Sequence, residues 1–391
     1  MSKKNSKNTA SGILNNPFEY GRNISSAAFC NRVKERKELK QYIEAKQSIF
    51  MYSERRLGKT SLIKKVLSEL DSKKYVSCYI DLWTTESELA FSKVYAKGLA
   101  DAFSGTAQEL LDTAKKLFSQ LLPSLVLSSS GEAQLSFQLT AATETLDDIE
   151  ALLQVPEEQA KRHKKTCVVV FDEFQEILKY QDSRLLKKLR SVIQNQEHVA
   201  YVFLGSKKHW MQDIFLNKSQ PFYRAGTHYP LESIKEEDWR SFLIRQFKKK
   251  GIQMGRGEVR QIISITEGHP FYTQHLCHEL WNICEESLDD EHIQTALRTL
   301  LNRESYYFEA VWDNLTHNQK KLLFTLSRPN PPESLHSKAF LQKYDYASNS
   351  SVQRVLIQLS EKGIIDKQGE DYYICDPFLK RWIQDRIDVL P

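Results

Sequence analysis

The densest chemical signal is the octapeptide Ser53-Glu54-Arg55-Arg56-Leu57-Gly58-Lys59-Thr60, which follows an apolar run and opens a helical pattern. In that context a loop of the type GxxxxGK[ST] can cradle a nucleotide's phosphates. Backbone N–H groups and the start of the next helix concentrate positive potential on one anion. Lys59 would reach the β- and γ-phosphates, and the Thr60 hydroxyl would take Mg2+. Gly58 lets the backbone approach the anion without a Cβ in the way. Ser61 carries the loop into the helix. There is one departure: Ser53 stands where the pattern has Gly. If that position needs a positive φ, serine costs about 1 kcal/mol there.

The run Val168-Val169-Val170-Phe171-Asp172-Glu173 supplies the complementary chemistry. Its apolar part reads as a strand, and its two carboxylates emerge at the end where open α/β sheets bind ligands. Asp172 would hold Mg2+ through the ion's water shell. Glu173 would orient or deprotonate an attacking water. The plainer reading of the pair is a helix N-cap. A third strand-like run, Val199 to Leu204, is followed by Gly205-Ser206. Ser206 could sense a γ-phosphate or cap the next helix. Arg224, in Pro221-Phe222-Tyr223-Arg224, could offer positive charge to a transferring phosphoryl group or form a plain salt bridge.

These residues need a scaffold that brings strand ends together. Apolar runs at Ser48 to Tyr52, Tyr75 to Leu82, Cys167 to Phe171 and Val199 to Leu204 alternate with helical periodicity, as in Leu185, Leu186, Leu189 and Ile193. That alternation predicts an α/β fold with an open parallel sheet, of five strands, covered by helices on both faces. Residues 84–165 interrupt it with helical spacing (Phe91, Tyr95, Leu99, Ala102) and a β-hairpin pattern at Leu135, Phe137 and Leu139 beside Ser128-Ser129-Ser130-Gly131. The expected organisation is a basic disordered tail at 1–16, a nucleotide-binding core at 17–230, a helical domain at 231–313 and a winged helix at 314–391. The last follows from two or three short helices and the alternating pair Ile364–Lys367 and Asp371–Ile374 around Gln368-Gly369-Glu370.

Composition limits the alternatives. In 391 residues, 41% are hydrophobic and 27% charged, a globular balance. The longest apolar run, Val199 to Leu204, is far short of the ~20 residues a bilayer requires, so no membrane partner is expected. The six cysteines form no CxxC pair, and the expected location is a reducing cytoplasm. A net charge of +5 gives only a faint pull toward anionic partners.

Three stretches together resemble the archaeal-type ATPases of the AAA+/STAND branch of P-loop NTPases. They are Phe29-Cys30-Asn31-Arg32 with Glu35 and Glu38, Arg55 through Leu62, and Asp172-Glu173-Phe174-Gln175. The likeness extends through Gly205-Ser206, Tyr223-Arg224, Gly268-His269-Pro270, and Asp376-Pro377-Phe378 with Trp382. The resemblance implies an ATPase core, a helical lid, a C-terminal winged helix, and ATP with Mg2+ as cofactors. It implies that adenine sits near Pro17 to Phe18 and Phe29 to Arg32, Asn31 included, and against the turn at Pro270. It also implies that Arg224 faces phosphate. The chain departs from the pattern at Ser53 and at His269, where many relatives carry a lid arginine.

The function expected is an ATP-binding and ATP-hydrolysing switch that binds ATP and ADP and has a protein partner or self-associates. The alternative is an ATP-regulated DNA-binding protein acting through its winged helix. Residues 315–391 hold 11 Lys/Arg against 9 Asp/Glu, and the wing carries Asp366, Glu370 and Asp371, which repel phosphates. That balance favours protein packing. A protein kinase is excluded by the lack of its catalytic-loop pattern.

Overall fold

A computed structural model describes residues 15–22, 24–104, 112, 115, 121–127, 133–139, 149–180, 184–206, 208–329 and 334–386. The chain divides into two compact units, Arg32–Glu232 and Met1–Asn31 with Ser233–Pro391.

The first unit runs α1 (Val33–Glu44), β1 (Ile49–Tyr52), α2 (Lys59–Ser68), β2 (Tyr75–Asp81) and α3 (Glu88–Phe103). It continues with β3 (Leu121–Leu127), β4 (Ala133–Leu139), α4 (Ile149–His163) and β5 (Thr166–Asp172). After a 3-10 turn, Phe174–Lys179, come α5 (Arg184–Ile193), β6 (Val199–Gly205), α6 (Lys208–Leu216) and β7 (Thr227–Pro230). Five strands form one parallel sheet in the order β2-β5-β6-β1-β7. The central strands are continuous apolar runs because helices cover both faces; every residue of β6 is buried, as is all of β5 after Thr166. The fifth strand, β7, was not among the strand-like runs. It is four residues long, polar and half-buried at the sheet edge, where Pro230 is tolerated. The hairpin expected in the interruption is β3 paired antiparallel with β4, Leu125 opposite Leu135, while its expected turn at 128–131 lies outside the described residues.

Aromatic packing holds this unit together. Phe171 of β5 stacks on Tyr95 of α3 at 5.8 Å and on Phe203 of β6 at 5.7 Å. Phe50 of β1 stacks on Phe215 of α6 at 3.6 Å. Such pairs add roughly 0.5–1.5 kcal/mol beyond their buried area. The consequence for function is positional: parallel strands bring the C-terminal ends of β1, β5 and β6 to one edge of the sheet.

The second unit is helical and then winged. Its helices are α7 (Glu236–Lys249), α8 (Arg256–Thr266), α9 (Pro270–Ile283) and α10 (Asp290–Asp313). Then follow α11 (His317–Ser327), α12 (Lys338–Lys343), α13 (Asn349–Glu361), β8 (Ile365–Gln368), β9 (Asp371–Ile374) and α14 (Pro377–Gln384). The wing pairs Ile365 with Ile374 and Gln368 with Asp371, and Gly369 takes the left-handed turn position at φ 63°. Phe18 packs on Phe247 at 5.1 Å, so the segment before Asn31 shares this unit's core. Trp312 and Trp382 are buried edge to face at 6.1 Å. Of the expected N-terminal tail, residues 1–14 lie outside the described residues, whereas the Asn16 amide donates to the His278 carbonyl at 3.0 Å.

Candidate functional site

The loop Ser53–Thr60 leaves β1 and enters α2 at the strand-end edge. Its left-handed positions are Arg56, at φ 63°, and Gly58, at φ 90°; Ser53 is not among the positive-φ residues. The strain conditionally expected at Ser53 therefore does not arise there, and the loop's non-glycine strain sits at Arg56. Gly58 is the N-cap of α2 and supplies no side-chain cap, so the first-turn N–H groups face the loop.

Lys59 is buried, at 5% exposure. Its ammonium donates to the Ser53 carbonyl at 3.0 Å, the Ser53 hydroxyl at 3.0 Å and the Glu54 carbonyl at 2.8 Å. None of these three oxygens is a carboxylate. Burial draws the amine down to about 8, while Glu173, Asp172 and Glu54 nearby oppose that shift. A cation buried against neutral oxygens retains charge to offer an anion. Ser53, the departure from the glycine pattern, thus contributes a hydroxyl to hold the lysine.

The acidic tip meets this loop. Thr60 Oγ1 donates to Asp172 Oδ2 at 2.6 Å, and the Glu173 N–H donates to Asp172 Oδ1 at 2.9 Å. The Tyr79 hydroxyl of β2 also donates to Asp172 Oδ2. Burial and Asp172 together raise the Tyr79 phenol well above its ordinary value, so it stays protonated as a donor. Glu173 has left-handed backbone, φ 53°. Its carboxylate accepts from the Ser206 hydroxyl at 2.6 Å and from the Gln175 amide. Gln175, fully buried, in turn accepts the Ser206 N–H at 3.3 Å. Glu173 makes no side-chain cap on the turn that follows it, and the Ser206 hydroxyl donates to Glu173.

The other expected site residues are placed as follows. Arg55 and Arg56 are exposed on the loop, with the Arg55 guanidinium 5.2 Å from the Trp83 ring centre; Leu57 is buried and Ser61 half-buried in α2. Arg32 is buried, and its guanidinium donates to the Leu57 carbonyl at 3.1 Å, the Glu232 carbonyl at 2.8 Å and Glu35 at 2.9 Å. It braces the loop's backbone. Arg224 is exposed, its guanidinium 5.5 Å from the ring centre of Tyr223. Phe29, Asn31 and Pro270 belong to the second unit, where Asn31 donates to Asp238 at 2.7 Å and Pro270 opens α9 behind its N-cap, His269.

Sequence reasoning missed Tyr79. Its signal was available: Tyr79 and Asp81 share a face of β2, and Asp81 stands opposite Asp172 in the sheet. Gln175 was quoted in a motif without a role.

The residues fit a magnesium nucleotide. Thr60 and Asp172 offer only hard oxygens, and Mg2+ needs few protein ligands because it keeps its waters. Among the described residues, no cluster of three or more His, Cys, Asp or Glu is placed to hold a metal, and no helix is long and apolar enough to cross a membrane.

A family model described as an ATPase domain predominantly from Archaea matches residues 29–276, and one described as a "probable winged helix domain" matches residues 306–385. Among solved structures, a Walker-type ATPase of Pyrococcus abyssi aligns at TM-score 0.62 and 15% identity, covering 92% of this chain and 97% of that one. The ORC2 protein of Aeropyrum pernix, solved as ADPNP and ADP complexes, aligns at TM-score 0.54 and 12% identity, covering 91% and 94%. At those identities the likeness is one of fold. No match was found among curated proteins. The family model spans residues 29–276, more than half of the chain, and the chain belongs to the family of ATPase domains found predominantly in Archaea.

Proposed function

We propose that the protein binds ATP with Mg2+ and hydrolyses it slowly, as an AAA+/STAND-type switch in the cytoplasm. The observation that carries this reading is the buried Lys59, held by neutral oxygens beside a Thr60–Asp172 hydrogen bond of 2.6 Å. Mg2+, held by Thr60 and outer-sphere by Asp172, would supply charge neutralisation at the phosphates. Lys59 binds the phosphate chain, and the first-turn N–H groups of α2 orient it. Glu173 holds the attacking water and takes its proton, with Ser206 and Gln175 fixing the carboxylate's direction. Arg224 enters only from an exposed position, which suits a phosphate contact made on self-association or on a rearrangement of its own chain.

We propose a lid at 231–313 and a winged helix at 314–391 after a nucleotide-binding core within 17–230, whose compact part is Arg32–Glu232. ADP and ATP must then bind two conformations with different affinities for the protein to switch. The output is contact with a protein partner. The DNA alternative draws support from the winged helix and from exposed Arg354 on α13. The acidic wing, with Asp366, Glu370 and Asp371, weighs against it.

The deciding experiment compares ATP binding and phosphate release for the parent, Lys59→Ala and Glu173→Gln. Lost binding in the first and retained binding without turnover in the second are expected. Equal ATP affinity in Lys59→Ala would remove the reading.

A further inference from the structure

We infer that Tyr79 is a positioning residue for the magnesium site, acting through Asp172; this rests on the reading of the site as one for a magnesium nucleotide.

The geometry is specific. Asp172 Oδ2 accepts two hydroxyls, from Thr60 on α2 and Tyr79 on β2, and Oδ1 accepts the Glu173 N–H. An ionised carboxylate has about two acceptor sites on each oxygen. Oδ2 is therefore filled, and one site remains on Oδ1. The carboxylate is fixed from three directions, which settles where it can meet a hydrated cation. Asp81, directly opposite Asp172 in the sheet, does not crowd that place, because its side chain turns to accept the Trp83 N–H at 3.0 Å. A carboxylate left beside Asp172 would raise the negative charge without fixing its direction.

Packing alone does not call for the phenol oxygen. The Tyr79 ring lies between strand and helix, with Lys64 Nζ 4.6 Å from its centre. Lys64 stands one helical turn beyond Thr60, so α2 delivers both groups to this corner. A cation over the ring draws density from it and makes the hydroxyl a better donor. Phenylalanine would keep the stack and lose only the bond to Asp172.

Outer-shell partners of metal-site carboxylates typically contribute about 10–100-fold in metal affinity. The test is calorimetric titration of ADP and of a non-hydrolysable ATP analogue into parent and Tyr79→Phe, first in EDTA and then across a Mg2+ series. Expected is unchanged Mg2+-free affinity and a Mg2+ midpoint shifted up about tenfold. In an Asp172→Asn background, Tyr79→Phe should shift nothing further. p-Aminophenylalanine at position 79 keeps ring and donor. It should return the midpoint toward the parent value, and it carries the test should the Phe variant melt early. Parental Mg2+ dependence in Tyr79→Phe, or an equal shift in the Asp172→Asn background, overturns the inference while leaving the nucleotide site standing. A parent that binds no nucleotide overturns the underlying reading instead.

Discussion

The guanidinium of Arg32 donates to the carbonyl of Leu57 at 3.1 Å, tying the first residue of the nucleotide-binding unit to the phosphate loop. The same guanidinium reaches the carbonyl of Glu232, the unit's last residue, at 2.8 Å. One buried arginine therefore holds together the two ends of this unit. Asn31 and Arg32 are consecutive left-handed residues, φ 41° and 45°, which stores strain of roughly 1–3 kcal/mol each at the crossing. Arg32→Lys should not substitute, since an ammonium lacks the planar fork that spans two carbonyls and Glu35. Both Arg32→Lys and Arg32→Ala should lower the melting temperature, the Ala change costing about 1.5–3 kcal/mol, and weaken ATP binding. Denaturant melts and calorimetry check this. Parental values in Arg32→Ala would show that the brace is idle.

In the proposed site, Lys59 should make nucleotide binding depend on pH. Burial first, opposed by nearby carboxylates, puts its amine at about 8. In the unfolded chain lysine titrates near 10.4, so the unfolded state binds more protons between about pH 8 and 10.4. This group's contribution to stability is least below pH 8 and rises across that window. Binding a polyphosphate must raise the amine again. Affinity is therefore expected to fall above pH 8, by up to about tenfold per unit, with proton uptake on binding. Calorimetry in buffers of different ionisation enthalpy measures the uptake, and its absence at pH 8.5 contradicts the assignment.

Glu173 and Ser206 should separate binding from turnover. Glu173→Gln is expected to keep ATP affinity and lower kcat by about 100-fold or more, the scale of a general base. Ser206→Ala removes the 2.6 Å bond that aims the carboxylate. It should lower kcat more modestly with KM unchanged. A KM effect in Ser206→Ala without a kcat effect would instead place its hydroxyl on the phosphates.

Gly205 sets how closely β6 approaches its neighbours. A Cβ there would lie 2.3 Å from Met211 and 2.8 Å from the Gln175 amide oxygen. Gly205→Ala should thus disturb the Glu173 network as well as the core, at a cost of about 1–3 kcal/mol. Thermal melts and phosphate release are expected to fall together. Gly205→Ala combined with Met211→Ala should recover more stability than turnover, because Gln175 stays displaced.

Much of this was legible in the residues. Strong patterns carried it: apolar runs at β1, β5 and β6, the Gly-Lys-Thr loop, the acidic pair at a strand end, and short helices before a hairpin. Each is local, set by backbone sterics, hydrophobic periodicity and turn chemistry. What escaped depends on residues distant in sequence. β7 is too short and polar to register, and it is a strand only because β1 offers it an edge. The role of Arg32 as a brace depends on Leu57 and Glu232 folding onto it. The grip of Ser206 on Glu173 needed β6 beside β5, and the reach of Tyr79 to Asp172 needed β2 on the other side of β5; the acceptors of Lys59 lie in its own loop, but only the folded loop aims them. Periodicity specifies which face of an element is buried. Hydrogen-bond partners across a sheet edge depend on ångström-scale placement, which only the assembled packing fixes.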